Sequence, residues 1–295
     1  MIQTTFQTLK KHPELIFGVL ITGLIGGIIL TPAFLGMDTY FENFFKMQSG
    51  DAEAIHAVVN TGALMFFLSL LSNIVVGFLL MPALMNRTYE ACAGIAEPGW
   101  LGRGIKRCWW KPFVTGLIIS ASATVIVLVT AIISIIPILG GLVSFAIYIG
   151  IGVFTIIAYT STIAEDNYGE GLGGIFTTGS KYFFKLLGIL ALVMIVPVII
   201  MSIFSGIFMS NMMEGYNTGQ VNDPVMMFSS MFQFMKPMII ISLVMSIYYV
   251  IAYPFVYTYS MHQYISEKGI YVPSQPVQQP AASSDYVIQS RDMTL

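Results

Sequence analysis

Charge is what this sequence has least of. Of its 295 residues, 13 are Lys or Arg and 15 are Asp or Glu, so 9% of the chain is charged. Soluble globular chains carry about 25%. Apolar residues make up 56%, more than a water-soluble chain of this size hides from solvent. The shortage excludes a soluble enzyme and a disordered chain alike. Histidine is almost as scarce: His12, His56 and His262 stand in separate regions, and no His-x-x-x-His pair exists. A metalloprotease helix is therefore excluded. The two cysteines, Cys92 and Cys108, have no nearby histidine and imply no metal site. No Gly-x-x-x-x-Gly-Lys run exists to cradle phosphate, and the glycines of Gly169–Gly174 do not follow a strand as a dinucleotide fingerprint requires. Serines in the apolar runs lack a His or Lys at depth to activate them. The net charge of −2 and the small basic patches argue against nucleic acid. These absences predict a chain that is no enzyme, with no cofactor, no metal and no catalytic residue.

What is present is long apolar sequence. Six spans contain no Asp, Glu, Lys, Arg or His: 15–35, 57–85, 113–136, 138–164, 186–209 and 238–261, together 149 residues. Each exceeds the ~20 residues that cross a ~30 Å hydrocarbon core as a helix. Lipid offers no partners to the backbone, so such spans must be helical. Spans three and four are separated only by Pro137, with Gly140 and Gly141 next to it, which predicts a tight turn over 134–141. The first apolar run is about 20 residues long and lacks a small-residue cleavage site behind it. It reads as a retained first helix rather than a secretory signal. The expected fold class is all-α: a polytopic membrane protein with six transmembrane helices, arranged as three hairpins.

Basic residues fix an orientation. With six crossings both termini share a side, and 11 of the 13 Lys and Arg fall there, leaving only Lys46 and Lys236 opposite. The positive-inside rule puts both termini in the cytoplasm of a plasma membrane protein. Cys92 and Cys108 then lie in a reducing compartment, where no disulfide is expected. The Asn86-Arg87-Thr88 glycosylation pattern is discounted for the same reason.

The odd-numbered helices begin alike, with basic residues beside aromatics: Lys10-Lys11-His12-Pro13, Trp109-Trp110-Lys111-Pro112 and Lys181-Tyr182-Phe183-Phe184-Lys185. This combination suits the headgroup region. Lys11, Arg103, Lys106, Arg107, Trp109, Trp110, Lys111, Lys181, Tyr182 and Lys185 are the expected membrane-interface anchors. A short amphipathic stretch precedes each odd helix: Ile2, Phe6 and Leu9 in the first, Leu101, Ile105, Cys108 and Trp109 in the second, Leu172, Ile175, Phe176 and Phe183 in the third. These predict cytoplasmic interfacial helices. The chain thus reads as three repeats, each an interfacial helix followed by a hairpin. Residues 1–270 form the transmembrane domain. From Val272 onward Pro, Gln and Ser predict a flexible cytoplasmic tail over 271–295.

The run Ile163-Ala164-Glu165-Asp166-Asn167-Tyr168-Gly169, then Ser180 to Leu190, resembles the six-helix membrane domain found in some glycerophosphodiester phosphodiesterases and in stand-alone prokaryotic relatives of unknown role. In that family an acidic residue ends the fourth helix, and an Ala-rich interfacial helix follows. Here Gly169, Gly171, Gly173 and Gly174 stand in its place, and glycine costs about 1 kcal/mol per helical position. A broken or loose helix is expected. The soluble catalytic domain of those phosphodiesterases has no counterpart in this chain, so the resemblance carries over no catalytic residue.

Few polar groups sit at membrane depth. Asn60, Asn73, Ser69 and the tyrosines Tyr248, Tyr249 and Tyr253 are the candidates for a polar cavity or for interhelical packing. Asn73 shares a face with Ser69 and Gly77, which favours a packing hydrogen bond over a substrate site. Pro197 predicts a static kink in the fifth helix. The outer methionines, Met209 to Met213 and Met226 to Met238, read as an amphipathic helix, with Cu(I) binding as the rival reading. The function expected is a non-enzymatic scaffold organising membrane lipids, or protein partners through its cytoplasmic loops or tail. The alternative is a permease or exporter for a lipid-like or neutral solute.

Overall fold

The computed structural model of the chain describes residues 1–48, 50–133, 139–217 and 224–270. These residues are helical almost throughout, and no strand occurs among them. The helices are α1 (Ile2–Lys11), α2 (Glu14–Leu35), α3 (Met37–Gln48), α4 (Ala52–Ser72), α5 (Met81–Cys92), α6 (Trp100–Cys108), α7 (Trp110–Ile133), α8 (Leu139–Ala164), α9 (Tyr168–Gly174), α10 (Ser180–Asn217) and α11 (Pro224–Lys268). Two wider π-helical segments, Asn73–Leu80 and Ile175–Gly179, join α4 to α5 and α9 to α10. Five stretches among the described residues are long and apolar enough to cross a membrane: Glu14–Ala33, Ala52–Cys92, Trp110–Leu128, Val143–Ala164 and Tyr168–Phe204. Each of the first five predicted spans overlaps one of these stretches, and 57–85 lies wholly within its own. The sixth lies inside α11.

The surface is inverted relative to a soluble protein. Ile28, Phe66, Val125, Leu192 and Ile247 are all more than 60% exposed, whereas the buried set is rich in hydroxyls. Thr160, Ser161 and Thr162 at the end of α8 are fully buried, as are Thr258 and Ser260 of α11. Thr160 and Ser260 share a hydrogen bond of 2.9 Å, and Thr115 of α7 lies 3.1 Å from the Tyr168 hydroxyl. Such bonds hold membrane helices together where apolar contact alone offers no advantage over lipid.

Successive long helices pack on one another. α2 lies on α4, α7 on α8, and α10 on α11; α8 also contacts α5, α9, α10 and α11. Each short helix docks on the helix before it: α6 on α5, and α9 on α8. α1 docks on α11. Phe6 meets Phe255 at 5.0 Å there, and Thr8 bonds His262 at 2.9 Å. α5 and α11 end with the same device. Gly94 and Gly269 take left-handed φ values of 71°, and the next amide reaches back five residues, Ile95 to Glu90 and Ile270 to Ile265.

Three expectations need correction. The glycine-rich stretch is helical over both α9 and its π continuation. A Cβ on Gly171 would come within 2.8 Å of the Thr162 backbone, so this glycine serves close approach rather than looseness. Gly140 and Gly141 lie inside α8; the rest of the predicted turn, 134–138, lies outside the described residues. α3, packed on α4, was not anticipated. The predicted tail, 271–295, also lies outside the described residues.

Pro197 has a specific partner. It removes the N–H that would bond the Val193 carbonyl, and Tyr248 of α11 donates its hydroxyl to that carbonyl. Tyr248→Phe is expected to lower stability by about 0.6–1.7 kcal/mol, the range for hydrogen bonds between membrane helices. In a Pro197→Ala background the backbone N–H returns to Val193, and the same change is expected to cost almost nothing. Unfolding in mixed micelles measures both. An undiminished effect in that background would refute the pairing.

Candidate functional site

The charged groups converge at one end of the bundle, where α1, α6 and α9 lie. α5 is the organiser. Asn86 and Glu90 are one turn apart, and Arg87 and Glu90 three residues apart, so all three share a face. They are 1%, 6% and 8% exposed for Asn86, Glu90 and Arg87. Buried ions are tolerated only when paired and hydrogen-bonded, and these are. Arg87 donates Nε and Nη2 to Glu14 Oε1 at 3.2 and 2.7 Å, and Nη1 to Glu90 Oε2 at 3.4 Å. Its Nη1 also holds the Glu97 carbonyl at 3.0 Å. Asn86 donates to Glu90 Oε1 at 2.9 Å. From α6, Arg103 reaches Glu90 Oε2 at 3.1 Å and Arg107 reaches Asn86 Oδ1 at 3.1 Å.

Arg107 carries the network onward, to Asp166 at 2.7 Å. Lys111 at the start of α7 is 3% exposed. Its Nζ lies 2.6 Å from the Glu165 carbonyl and 3.2 Å from that of Asp166, where the end of α8 presents its negative pole. Glu165 in turn accepts from Tyr264 at 2.8 Å and pairs with Lys268 at 2.9 Å. Burial, with the donation to Glu165, pushes the Tyr264 hydroxyl well above its ordinary range, so it stays a donor. Burial also raises the Cys108 thiol and holds the His262 imidazole neutral, its pKa down at about 4. The chain of contacts thus links α2, α5, α6, α7, α8 and α11. It contains no activated nucleophile, and no three potential metal ligands group together among the described residues.

No known protein family, curated protein or solved structure matches this chain.

The predicted anchors divide. Trp109 is 49% exposed, and Lys11, Lys106 and Lys181 are also exposed. Trp110 packs on Tyr168 at 5.0 Å. Arg103, Arg107 and Lys111 are turned onto internal partners, as above. Tyr182 is fully buried, 3.4 Å from Ser260, and Lys185 lies 3.8 Å from Glu267. The candidate polar groups are not gathered together. Asn60, Ser69 and Asn73 face outward, and Asn73 donates to the Ser69 carbonyl of its own helix at 2.8 Å, where the π segment begins. Tyr249 is 40% exposed. Tyr253 stacks parallel to Tyr257 at 6.2 Å, and both line a cavity of about 10 Å³ with Leu15, Met81 and Met85. That volume holds about one water. The side chains of the outer methionines lie outside the described residues.

Sequence reading missed Glu14, Asn86, Arg87, Glu90, Glu165, Tyr264 and Lys268. The available signal was the spacing of Asn86, Arg87 and Glu90 just past an uncharged span, the pattern of a face that binds rather than one that is solvated.

Proposed function

We propose that this chain is a six-span plasma membrane protein with both termini in the cytoplasm, α11 supplying the sixth crossing. It acts as a non-enzymatic scaffold that organises lipids or partner proteins. The observation that carries the reading is the internal pairing of the charged end. Charges that coupled transport or catalysis would place around an open site are spent here on tying helices to one another. The residues at depth named as cavity candidates face outward or pack on neighbours. The resemblance to the phosphodiesterase-linked membrane domain, itself without catalytic groups, agrees with this role.

Proteoliposomes containing a fluorescent phospholipid test it. The scaffold reading expects lipid to cross between leaflets no faster than in protein-free vesicles. Accelerated crossing would instead establish the permease reading. The same protein carrying Lys10→Cys or Gly50→Cys reports topology in intact cells. Only the Gly50 position is expected to react with an impermeant maleimide; labelling at position 10 would overturn the orientation.

A further inference from the structure

One face of α10 carries more than packing requires. Lys181, Lys185, Gly188, Leu192, Ile195 and Ile199 recur at spacings of four and three, which aligns them on one stripe. All six are exposed. Along the apolar part of the stripe runs an open groove of about 350 Å³, lined also by Phe145 of α8. Its floor is open at Gly188, where an added Cβ would meet nothing within 4 Å. From Gly188 to Ile199 the helix rises about 16 Å at 1.5 Å per residue. That is the depth of one leaflet, half of a ~30 Å hydrocarbon core.

The lysines stand just beyond the shallow end of this groove. Lys185 lies about 4.5 Å and Lys181 about 10 Å along the axis from Gly188, the range occupied by headgroups. Lys185 is 58% exposed and meets Glu267 only at 3.8 Å, a distance at which an exposed pair contributes little. Lys181 has no acidic partner among the described residues.

We infer that this stripe binds one anionic phospholipid, its phosphate on Lys181 and Lys185 and one acyl chain in the groove between α8 and α10. The charge pattern selects lipid over a second copy of the chain. Two copies meeting in parallel along the same stripe would bring their lysine pairs together, and like charges at such a seam disfavour it. The inference rests on the membrane reading and deepens the proposed role by naming a lipid class and its seat.

The test uses the full chain in nanodiscs of equal phosphatidylglycerol and phosphatidylcholine, with retained lipid counted by native mass spectrometry. The wild type is expected to retain one phosphatidylglycerol in preference to phosphatidylcholine. Lys181→Gln with Lys185→Gln is expected to weaken that preference about thirtyfold, the increment of two basic residues beside an anionic surface. Gly188→Leu fills the groove without altering charge, and its side chain enters open space, so folding is preserved. It is expected to abolish retention of either lipid. Retention unchanged by both variants overturns the site. Loss with the lysine variant alone overturns the groove and leaves only surface attraction. A protein dimer that Gly188→Leu dissociates, without bound lipid, assigns the stripe to a second copy instead. None of these outcomes depends on lipid crossing between leaflets, so the scaffold reading and this site fail separately.

Discussion

Arg87→Met is expected to destabilise the bundle by about 3–5 kcal/mol, the cost of stranding a buried partner charge. Glu90 is 6% exposed and would keep the Asn86 bond but only one charged partner, Arg103, itself 40% exposed at the rim. Glu14 would lose both of its bonds from Arg87, and the Glu97 carbonyl would lose its donor. Arg87→Lys is expected to recover little, because one ammonium cannot reach Glu14, Glu90 and Glu97 together as the guanidinium fork does. Adding Glu90→Gln to Arg87→Met is expected to recover much of the loss. The amide keeps an acceptor for Asn86, and Arg103 turns to water. The chain's three tryptophans stand at the start of α6 (Trp100) and at the junction of α6 and α7 (Trp109 and Trp110). Their fluorescence during unfolding in mixed micelles therefore reports this end of the molecule. A loss below about 1 kcal/mol, the worth of an exposed pair, would show that the network is peripheral to stability.

The same residues mark where sequence reading stops. Uncharged length is a local property, so the apolar helices could be read directly, and so could α1 and α6 from their amphipathic spacing, whereas the glycines of α9 read as a broken or loose helix. Pairing is not local. Glu14 and Arg87 are 73 residues apart, and Tyr264 and Glu165 are 99 apart. A count of basic residues by side treats Arg103, Arg107 and Lys111 as headgroup contacts, since that is what an isolated interfacial helix would do with them. Only the return of α5 and α8 to the same end supplies the carboxylates and carbonyls that turn them inward. Tyr248 shows the same limit. Alone it is a polar group at depth; beside Pro197 it replaces a missing backbone donor. Asn73, read as an interhelical packing group, instead faces outward and donates to the Ser69 carbonyl of its own helix.

Glycine gives a test in which two neighbouring positions respond with opposite sign. In α6, a Cβ on Gly104 would lie 2.6 Å from the Ala83 Cα and 3.0 Å from its carbonyl oxygen. Both atoms belong to the α5 backbone, so no side chain can swing away, and α6 must lift from α5. Lifting separates Arg103 and Arg107 from Glu90 and Asn86. Gly104→Ala is therefore expected to cost about 1–3 kcal/mol as overpacking, despite the ~1 kcal/mol that alanine gains over glycine in a helix. Two residues away, Gly102 has nothing within 4 Å of its would-be Cβ, and Gly102→Ala is expected to stabilise by up to about 1 kcal/mol. α9 and α8 show the same arrangement. In α9, Gly171 abuts the Thr162 backbone of α8 at 2.8 Å, whereas Gly173 faces open space. Gly171→Ala and Gly173→Ala are expected to reproduce the opposed signs. Tryptophan-monitored unfolding of the four variants decides the matter. Equal responses at Gly104 and Gly102 would mean that α6 rides on the bilayer surface rather than on α5. Opposed signs in both pairs would establish that the short helices are docked backbone to backbone, as repeated parts of one architecture.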